Sequence, residues 1–310
     1  MYRGVFLFLI VVTLIVPISG SYCALDCENL KILAEKNKDH VQSVASISKV
    51  MTALIVLEHA SLYEMVVIDP TMLHTEGSSI YLIENEIYSI ETLLYGLLLR
   101  SGNDAAMALA LYTSDHDLDT FIQWMNDKAT QIGMMHTQFE NPSGLEKPQG
   151  NLSSAYDMAL LMCYVSDHVD LMKILGTTSY TTSKHGVWSN KNRLLKMNER
   201  VIGGKTGFTN QAGRTLLSIA EEGYRISIAT LDMYDDFEFH DRMYDRLYTD
   251  KKMRKIFTEG IYQLNHKKFV VHRAGYILES DLNQDEYVFT STNTGVTLKY
   301  LDYTWVFPWI

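Results

Sequence analysis

Ser46-Ile47-Ser48-Lys49 is the one Ser-x-x-Lys in the 310-residue chain, and it opens the apolar run 50–57. At the start of a helix this spacing puts a hydroxyl and an amine one turn apart on the same face. That is the geometry of a nucleophile with a base beside it. Lys49 can take the Ser46 proton only while neutral, and bringing a lysine from near 10.4 down to about 7 takes roughly 4 kcal/mol. Burial against the first helix and a second cation, Lys205, would both push in that direction. Average Ser and Lys usage gives about one such tetrapeptide by chance in a chain this long. The plain alternative is a helix-capping serine followed by a solvated lysine. Two further stretches weigh against it. Ser101-Gly102-Asn103 follows the helix-like apolar run 93–99, and Lys205-Thr206-Gly207 lies between Gly203-Gly204 and a strand-like segment.

These residues need elements to hold them. Alternation predicts a hairpin from 22–26 and 31–36, with 27–30 turning between. A helix over 46–60 follows, then an irregular stretch from about 81. Ser89 is a good N-cap for a helix through 100. Apolar spacing predicts helices at 103–112, 118–132 and 155–166. Three strands, 204–209, 214–221 and 224–232, and a helix over 237–248 complete the pattern. An antiparallel sheet built from both ends of this stretch, with a mostly helical insert between them, is an α+β layout. Beyond about Leu264 the helical period disappears, and 269–271, 287–289 and 296–303 alternate like short strands. The expected division is 1–20 as signal peptide or N-terminal membrane anchor, 21–263 as catalytic domain and 264–310 as a short β-rich appendage. Trp305, Phe307 and Trp309 could sit at a membrane interface or in a buried terminal strand.

Composition agrees with one sizeable core: 47% hydrophobic, 21% charged and five prolines. A formal charge of -10 and the lack of any basic stripe argue against nucleic acid as a partner. The pairs Lys251-Lys252 and Lys267-Lys268 read as solvated faces. Met1-Tyr2-Arg3 followed by the apolar run 5–18 reads as the charged and apolar regions of a secretory signal. It is too short to span a bilayer comfortably. Ser19, Gly20 and Ser21 offer a cleavage site, and an uncleaved anchor is the alternative; either places the chemistry outside the cytoplasm. Cys23, Cys27 and Cys163 do not suggest a disulfide framework. Cys23 and Cys27 read as one extended strand, too far apart to bond, and Cys163 as a buried helix residue. The ten histidines show no metal-ligand spacing, so no metal is expected.

The order and spacing of Ser-x-x-Lys, Ser-x-Asn and Lys-Thr-Gly resemble those of the active-site serine penicillin-interacting enzymes. The surroundings narrow this. Ala45 to Ala53, Leu99 to Ala106 and Gly204 to Gly213 are similar to the D-alanyl-D-alanine carboxypeptidase family, the low-molecular-mass penicillin-binding proteins. So are Asn141-Pro142-Ser143-Gly144-Leu145, Ser153 to Ala159 and Asn192-Arg193-Leu194-Leu195. The similarity runs from about residue 21 to 248. It implies a β-lactamase/transpeptidase-like fold and no cofactor. It implies Ser46 as nucleophile, Lys49 as base, and Ser101 relaying a proton between Lys49 and the leaving amine. Asn103 would hold a substrate amide and Lys49 in register. Lys205 and Thr206 would take the terminal carboxylate of a cell-wall stem peptide ending in D-Ala-D-Ala. Gly207 would let the substrate backbone come close, and the amides of Ser46 and Phe208 would form the oxyanion hole. The family often has histidine where Phe208 stands. β-Lactam antibiotics would acylate Ser46. A class A β-lactamase would want Glu-x-x-Leu-Asn between Asn103 and Lys205, and none occurs there. The same residues would also suit a DD-endopeptidase or an esterase, and a catalytically silent wall-binding scaffold could keep the fold.

Overall fold

The computed structural model describes residues 20–309 apart from 74, 147–149, 251–252, 265, 273, 279–287, 293 and 301–302. The expected signal segment, up to residue 19, lies outside the described residues, as do Lys251, Lys252 and Tyr287.

Side chains of Ser21–Asp26 alternate between two cores: Cys23 and Leu25 join one, and Ala24 the other. A strand with both faces covered belongs in the middle of a sheet. It pairs antiparallel with Ile32–Lys36 on one side and Tyr224–Leu231 on the other. Gly213–Glu222 and Val201–Thr209 follow, also antiparallel, so the N-terminal strand sits second in a five-stranded sheet completed by the last three. Leu217 and Ile219 face the same core as Leu25, while Leu216 and Ala220 face the other.

The helices are α1 (Lys49–His59), α2 (Ile90–Leu99), α3 (Asn103–Thr113), α4 (Leu118–Ile132), α5 (Ala155–Val165), α6 (Val169–Leu175), α7 (Leu194–Met197) and α8 (Asp236–Asp250). Residues Lys49 to Val56 are all buried, because α1 runs through the larger core with α2 to α5 around it. The side chain of Ser89 caps α2 by accepting from Thr92 N at 3.1 Å, as expected. Asp117 and Ser154 cap α4 and α5 in the same way. The amphipathic α8 covers the opposite face with Phe237, Phe239, Tyr244 and Leu247. The α+β layout expected from the sequence is the one observed.

Two local features differ from expectation. Residues Ala45–Ser48 form a 3-10 turn, so Ser46 precedes α1 instead of opening it. Cys27 and Cys163 are disulfide-bonded, with Cα atoms 5.0 Å apart, and Cys23 is free and buried. The reason is positional. Cys27 lies beyond the strand in the following turn, where its N–H donates to Arg225 O at 2.9 Å, and α5 crosses the strand and brings Cys163 to it.

Past α8 every described element is a strand, as expected for 264–310, but the run starts earlier than expected, at Met253–Phe257, which pairs with Gly275–Leu278. Gly260–Leu264 pairs with Lys267–Val271, and Gly295–Tyr300 lies between Val288–Ser291 and Tyr303–Pro308. Phe269, Val271, Val296, Leu298 and Phe307 make a small separate core against which Trp305 and Trp309 pack. Trp309 donates its indole N–H to Thr292 O at 2.9 Å. No described helix is long and apolar enough to cross a membrane.

Candidate active site

The 3-10 turn delivers Ser46 to the mouth of a cleft and drops Lys49 beneath its floor, fully buried. Ala45 enters the turn with a left-handed φ of 48°, a conformation a non-glycine residue adopts only under surrounding constraint. Part of that constraint is Gly144, where an added Cβ would overlap the Ala45 carbonyl. Lys49 Nζ lies 3.0 Å from Ser46 Oγ, donates to Asn103 Oδ1 at 2.7 Å, and donates to Ser143 O. A neutral amine has two N–H bonds and one lone pair. The two carbonyl oxygens take the N–H bonds, which leaves the lone pair for the serine hydroxyl. Burial lowers Lys49 to about 7, with the charge of Lys191 adding to the effect and that of Asp104 opposing it. Lys205, the second cation to which the sequence pointed, is coupled to Lys49 as well, since the charge of Lys49 acts to lower Lys205.

The junction between α2 and α3 brings the second group. Ser101 stands in a left-handed conformation, φ 65°, which turns its hydroxyl to Lys205 Nζ at 3.0 Å. Asn103 donates its side-chain N–H to Glu76 O at 2.6 Å and its backbone N–H to Ser78 O at 2.7 Å. The neighbouring Asp104 accepts from Ser79 Oγ, Ile80 N and Leu82 N at 2.6 to 3.1 Å, tying the irregular stretch 76–82 to the start of α3.

The edge strand Val201–Thr209 supplies the third. Lys205 is buried opposite Leu217, and its ammonium also reaches Thr206 O at 2.6 Å. Burial and the charges of Lys49 and Lys191 hold Lys205 well below the ordinary lysine value. At Gly207 an added Cβ would overlap Thr215 Oγ1 and lie 2.9 Å from Ser46 N. The missing side chain thus lets the strand close against the serine turn, and Phe208 follows with its ring mostly in solvent. The cleft between these walls has a volume of about 360 Å³; Ser46, Ser101, Thr206, Gly207 and Phe208 line it, while Arg214 and Asp236, ion-paired at 2.6 Å, close one end.

All eight residues singled out in the sequence therefore converge. Within the group, Ser101 bonds Lys205, while Asn103 is the partner of Lys49. Three contributors went unrecognised: the Ser143 carbonyl, Asp104 and Lys191. A carbonyl leaves no trace in residue type, and Lys191 lies in a short connecting segment with no periodicity.

A family model for D-alanyl-D-alanine carboxypeptidase matches residues 17–235. The chain belongs to the D-alanyl-D-alanine carboxypeptidase family. The resemblance read from its motifs is thereby borne out. Among relatives, D-alanyl-D-alanine carboxypeptidase DacF of Bacillus subtilis is 34% identical over 210 residues, 65% of this chain and 54% of that protein. The chain thus spans about half the length of that relative. Penicillin-binding protein D2 of Listeria monocytogenes, solved with ampicillin bound, superposes with a TM-score of 0.65 at 30% identity, over 73% of this chain and 94% of that one. A peptidoglycan synthesis regulatory factor, PBP3 of Streptococcus pneumoniae, gives a TM-score of 0.78 over 94% of this chain and 98% of its own, at 21% identity. That likeness concerns the fold, and it extends through the C-terminal strands.

Proposed function

We propose that this carboxypeptidase-family chain removes the terminal D-Ala from peptidoglycan stem peptides ending in D-Ala-D-Ala, through an acyl-enzyme on Ser46. The observation that carries the reading is the pair of 3.0 Å contacts, Lys49 to Ser46 and Lys205 to Ser101, on facing walls of one cleft.

Neutral Lys49 takes the Ser46 proton as Oγ attacks the carbonyl of the penultimate D-Ala. The oxyanion lies toward the Ser46 and Phe208 amides, each such donor contributing about 2.7 to 4 kcal/mol in the transition state. The C–N bond breaks, and the departing D-Ala nitrogen takes a proton through Ser101. Lys205 and Thr206 hold the terminal carboxylate. Water then attacks the ester and frees Ser46, Lys49 acting as base again. Asn103 keeps Lys49 in place, and its carbonyl oxygen has a second lone pair for a substrate N–H. Penicillins, which present a strained amide and a carboxylate, acylate the same serine.

The reading assigns catalysis to 21–263, export or anchoring to 1–20, an accessory role to 264–310, and action to the outer face of the cell membrane or the wall. Its test is release of free D-Ala from a synthetic acyl-D-Ala-D-Ala peptide, beside fluorescent-penicillin labelling of wild type and Ser46→Ala. Release and labelling by wild type alone are expected. No release together with rapid nitrocefin turnover, or equal labelling of both proteins, would overturn it.

A further inference from the structure

The strand Val201–Thr209 is an edge of the sheet: Gly213–Glu222 pairs with one side of it, and the serine turn packs against it. Among the described residues no backbone ladder joins this strand to the turn. Contacts of another kind set the distance between them. Gly207 abuts Ser46 N and the Ala45 side chain, and two residues further along the strand Glu146 ties down its end. One oxygen of this half-buried carboxylate, Oε1, accepts from Ser43 Oγ at 2.6 Å and also from Thr209 Oγ1. Ser43 lies three residues before Ser46, and Thr209 directly follows Phe208. The bridge therefore spans the two segments that carry the Ser46 and Phe208 amides.

The loop that presents Glu146 is the one that serves Lys49. Asn141 holds it closed: its Oδ1 accepts from Ser143 N at 3.0 Å and Gly144 N at 2.7 Å, and its side-chain N–H donates to Leu145 O at 2.8 Å. Ser143 gives its carbonyl to Lys49, and Glu146 follows three residues later. At the strand end, Thr209 Oγ1 accepts from Ala212 N at 2.9 Å, which fixes the hydroxyl that donates to Glu146. Hydrogen bonds to an ionised carboxylate are about twice as strong as neutral ones. One oxygen thus holds two elements that meet only at the cleft.

We propose that Glu146 is a positioning residue for the oxyanion hole: by holding Ser43 and Thr209 on one oxygen, it fixes the separation of the Ser46 and Phe208 amides. The inference rests on the carboxypeptidase reading, which gives those amides their role, and adds a residue that acts only through them. Misplacement by about 1 Å costs on the order of 100-fold in rate. Removing one oxyanion donor outright costs about 100- to 1,000-fold. The role needs an acceptor oxygen and no proton transfer, so glutamine can fill it.

The test follows the rate of Ser46 acylation by penicillin and the ester carbonyl band of the acyl-enzyme, read by infrared difference spectroscopy with an isotope label at that carbonyl. Hydrogen bonds from the hole lower the stretching frequency, and an amide that has drifted away lets it rise. Glu146→Ala should acylate roughly 10- to 100-fold more slowly than wild type, with the band shifted upward. Glu146→Gln should regain most of the rate and the wild-type band. Ser43→Ala and Thr209→Val each remove one arm of the bridge and leave the carboxylate, so both should shift the band in the same direction; they carry the test if Glu146→Ala fails to fold. Combining Glu146→Ala with Thr209→Val should cost well under the sum of the two. A band unmoved in these variants would overturn the proposal even where rates fall, since a weakened fold loses active molecules and not hydrogen bonds to the carbonyl. So would a Glu146→Gln protein as slow as Glu146→Ala, which would make the carboxylate a proton acceptor. Failure of penicillin to acylate wild type would instead overturn the carboxypeptidase reading, and this proposal with it.

Discussion

In the proposed mechanism Lys49 must be uncharged to take the Ser46 proton, and burial together with Lys191 brings it to about 7. The sign follows directly: a lysine held low is neutral above that value and protonated below it. The acylation rate constant with penicillin should rise about tenfold per pH unit below 7 and level off above it. A rate flat from pH 5 to 9, or one still climbing at pH 10, would remove Lys49 as the base. Gly207 gives a second prediction at this scale. Gly207→Ala drives a methyl into Thr215 Oγ1 and toward Ser46 N, so penicillin acylation should slow by about 100-fold. Overpacking should also remove about 1 to 3 kcal/mol of stability, and stopped-flow acylation beside thermal melts measures both. The sequence made eight of the site's residues legible because side-chain chemistry at fixed spacing survives translation into letters. The Ser143 carbonyl and the rim position of Lys191 were illegible because each depends on where a connecting segment passes, not on its residue type.

Among the elements, α8 is joined to the sheet by a buried polar contact inside an otherwise apolar layer. His240 is fully buried, with Nδ1 2.7 Å from Ser218 Oγ and Nε2 3.0 Å from Thr230 Oγ1, and Ser218 also meets the Tyr244 hydroxyl at 2.7 Å. A neutral imidazole satisfies both hydroxyls by donating to one and accepting from the other. Burial lowers His240 from 6.5 to about 3. As pH falls below 6.5 the unfolded chain takes up a proton that the folded chain refuses. The stability that is present above 6.5 is therefore lost toward 3, by about 1.4 kcal/mol per pH unit. Denaturant titrations between pH 6.5 and 5 should show this slope in wild type and a flatter one in His240→Gln; equal slopes would exclude His240 as the cause. At this scale the sequence did well with long periodic segments: the 118–132 helix was expected where α4 is found. It missed the hairpin of Ser179–Thr182 with Gly186–Ser189 and the pair Met65–Val67 with Ile87–Ser89. Strands of three or four residues carry too few alternations to stand out.

At the scale of the molecule, the Cys27–Cys163 bond ties the turn after the first strand to α5 across 136 residues. Closing so long a loop restricts the unfolded chain, and its loss should cost about 2 to 5 kcal/mol. Reduction, or the pair Cys27→Ala with Cys163→Ala, should lower the melting temperature by roughly 5 to 15 °C, with penicillin labelling retained at 25 °C. An unchanged melting temperature would show the bond to be dispensable. Strand alternation alone gave no hint of this pairing, since Cys27 lies outside the strand that its spacing from Cys23 suggested. Of the C-terminal strands, those around 269–271 and 296–303 were legible as β, whereas 253–257 and 275–278 were not, nor was their pairing across an intervening hairpin.

The first strand, Ser21–Asp26, lies second in the sheet, with Tyr224–Leu231 as its inner neighbour. During synthesis, then, Ser46 leaves the ribosome long before Lys205 of the opposite wall, and the sheet that frames both stays unfinished until about residue 231 has followed. A chain stalled or clipped before that point carries Ser46 but lacks the strand that joins Ser21–Asp26 to the rest of the sheet, and the cleft's two walls have no common frame.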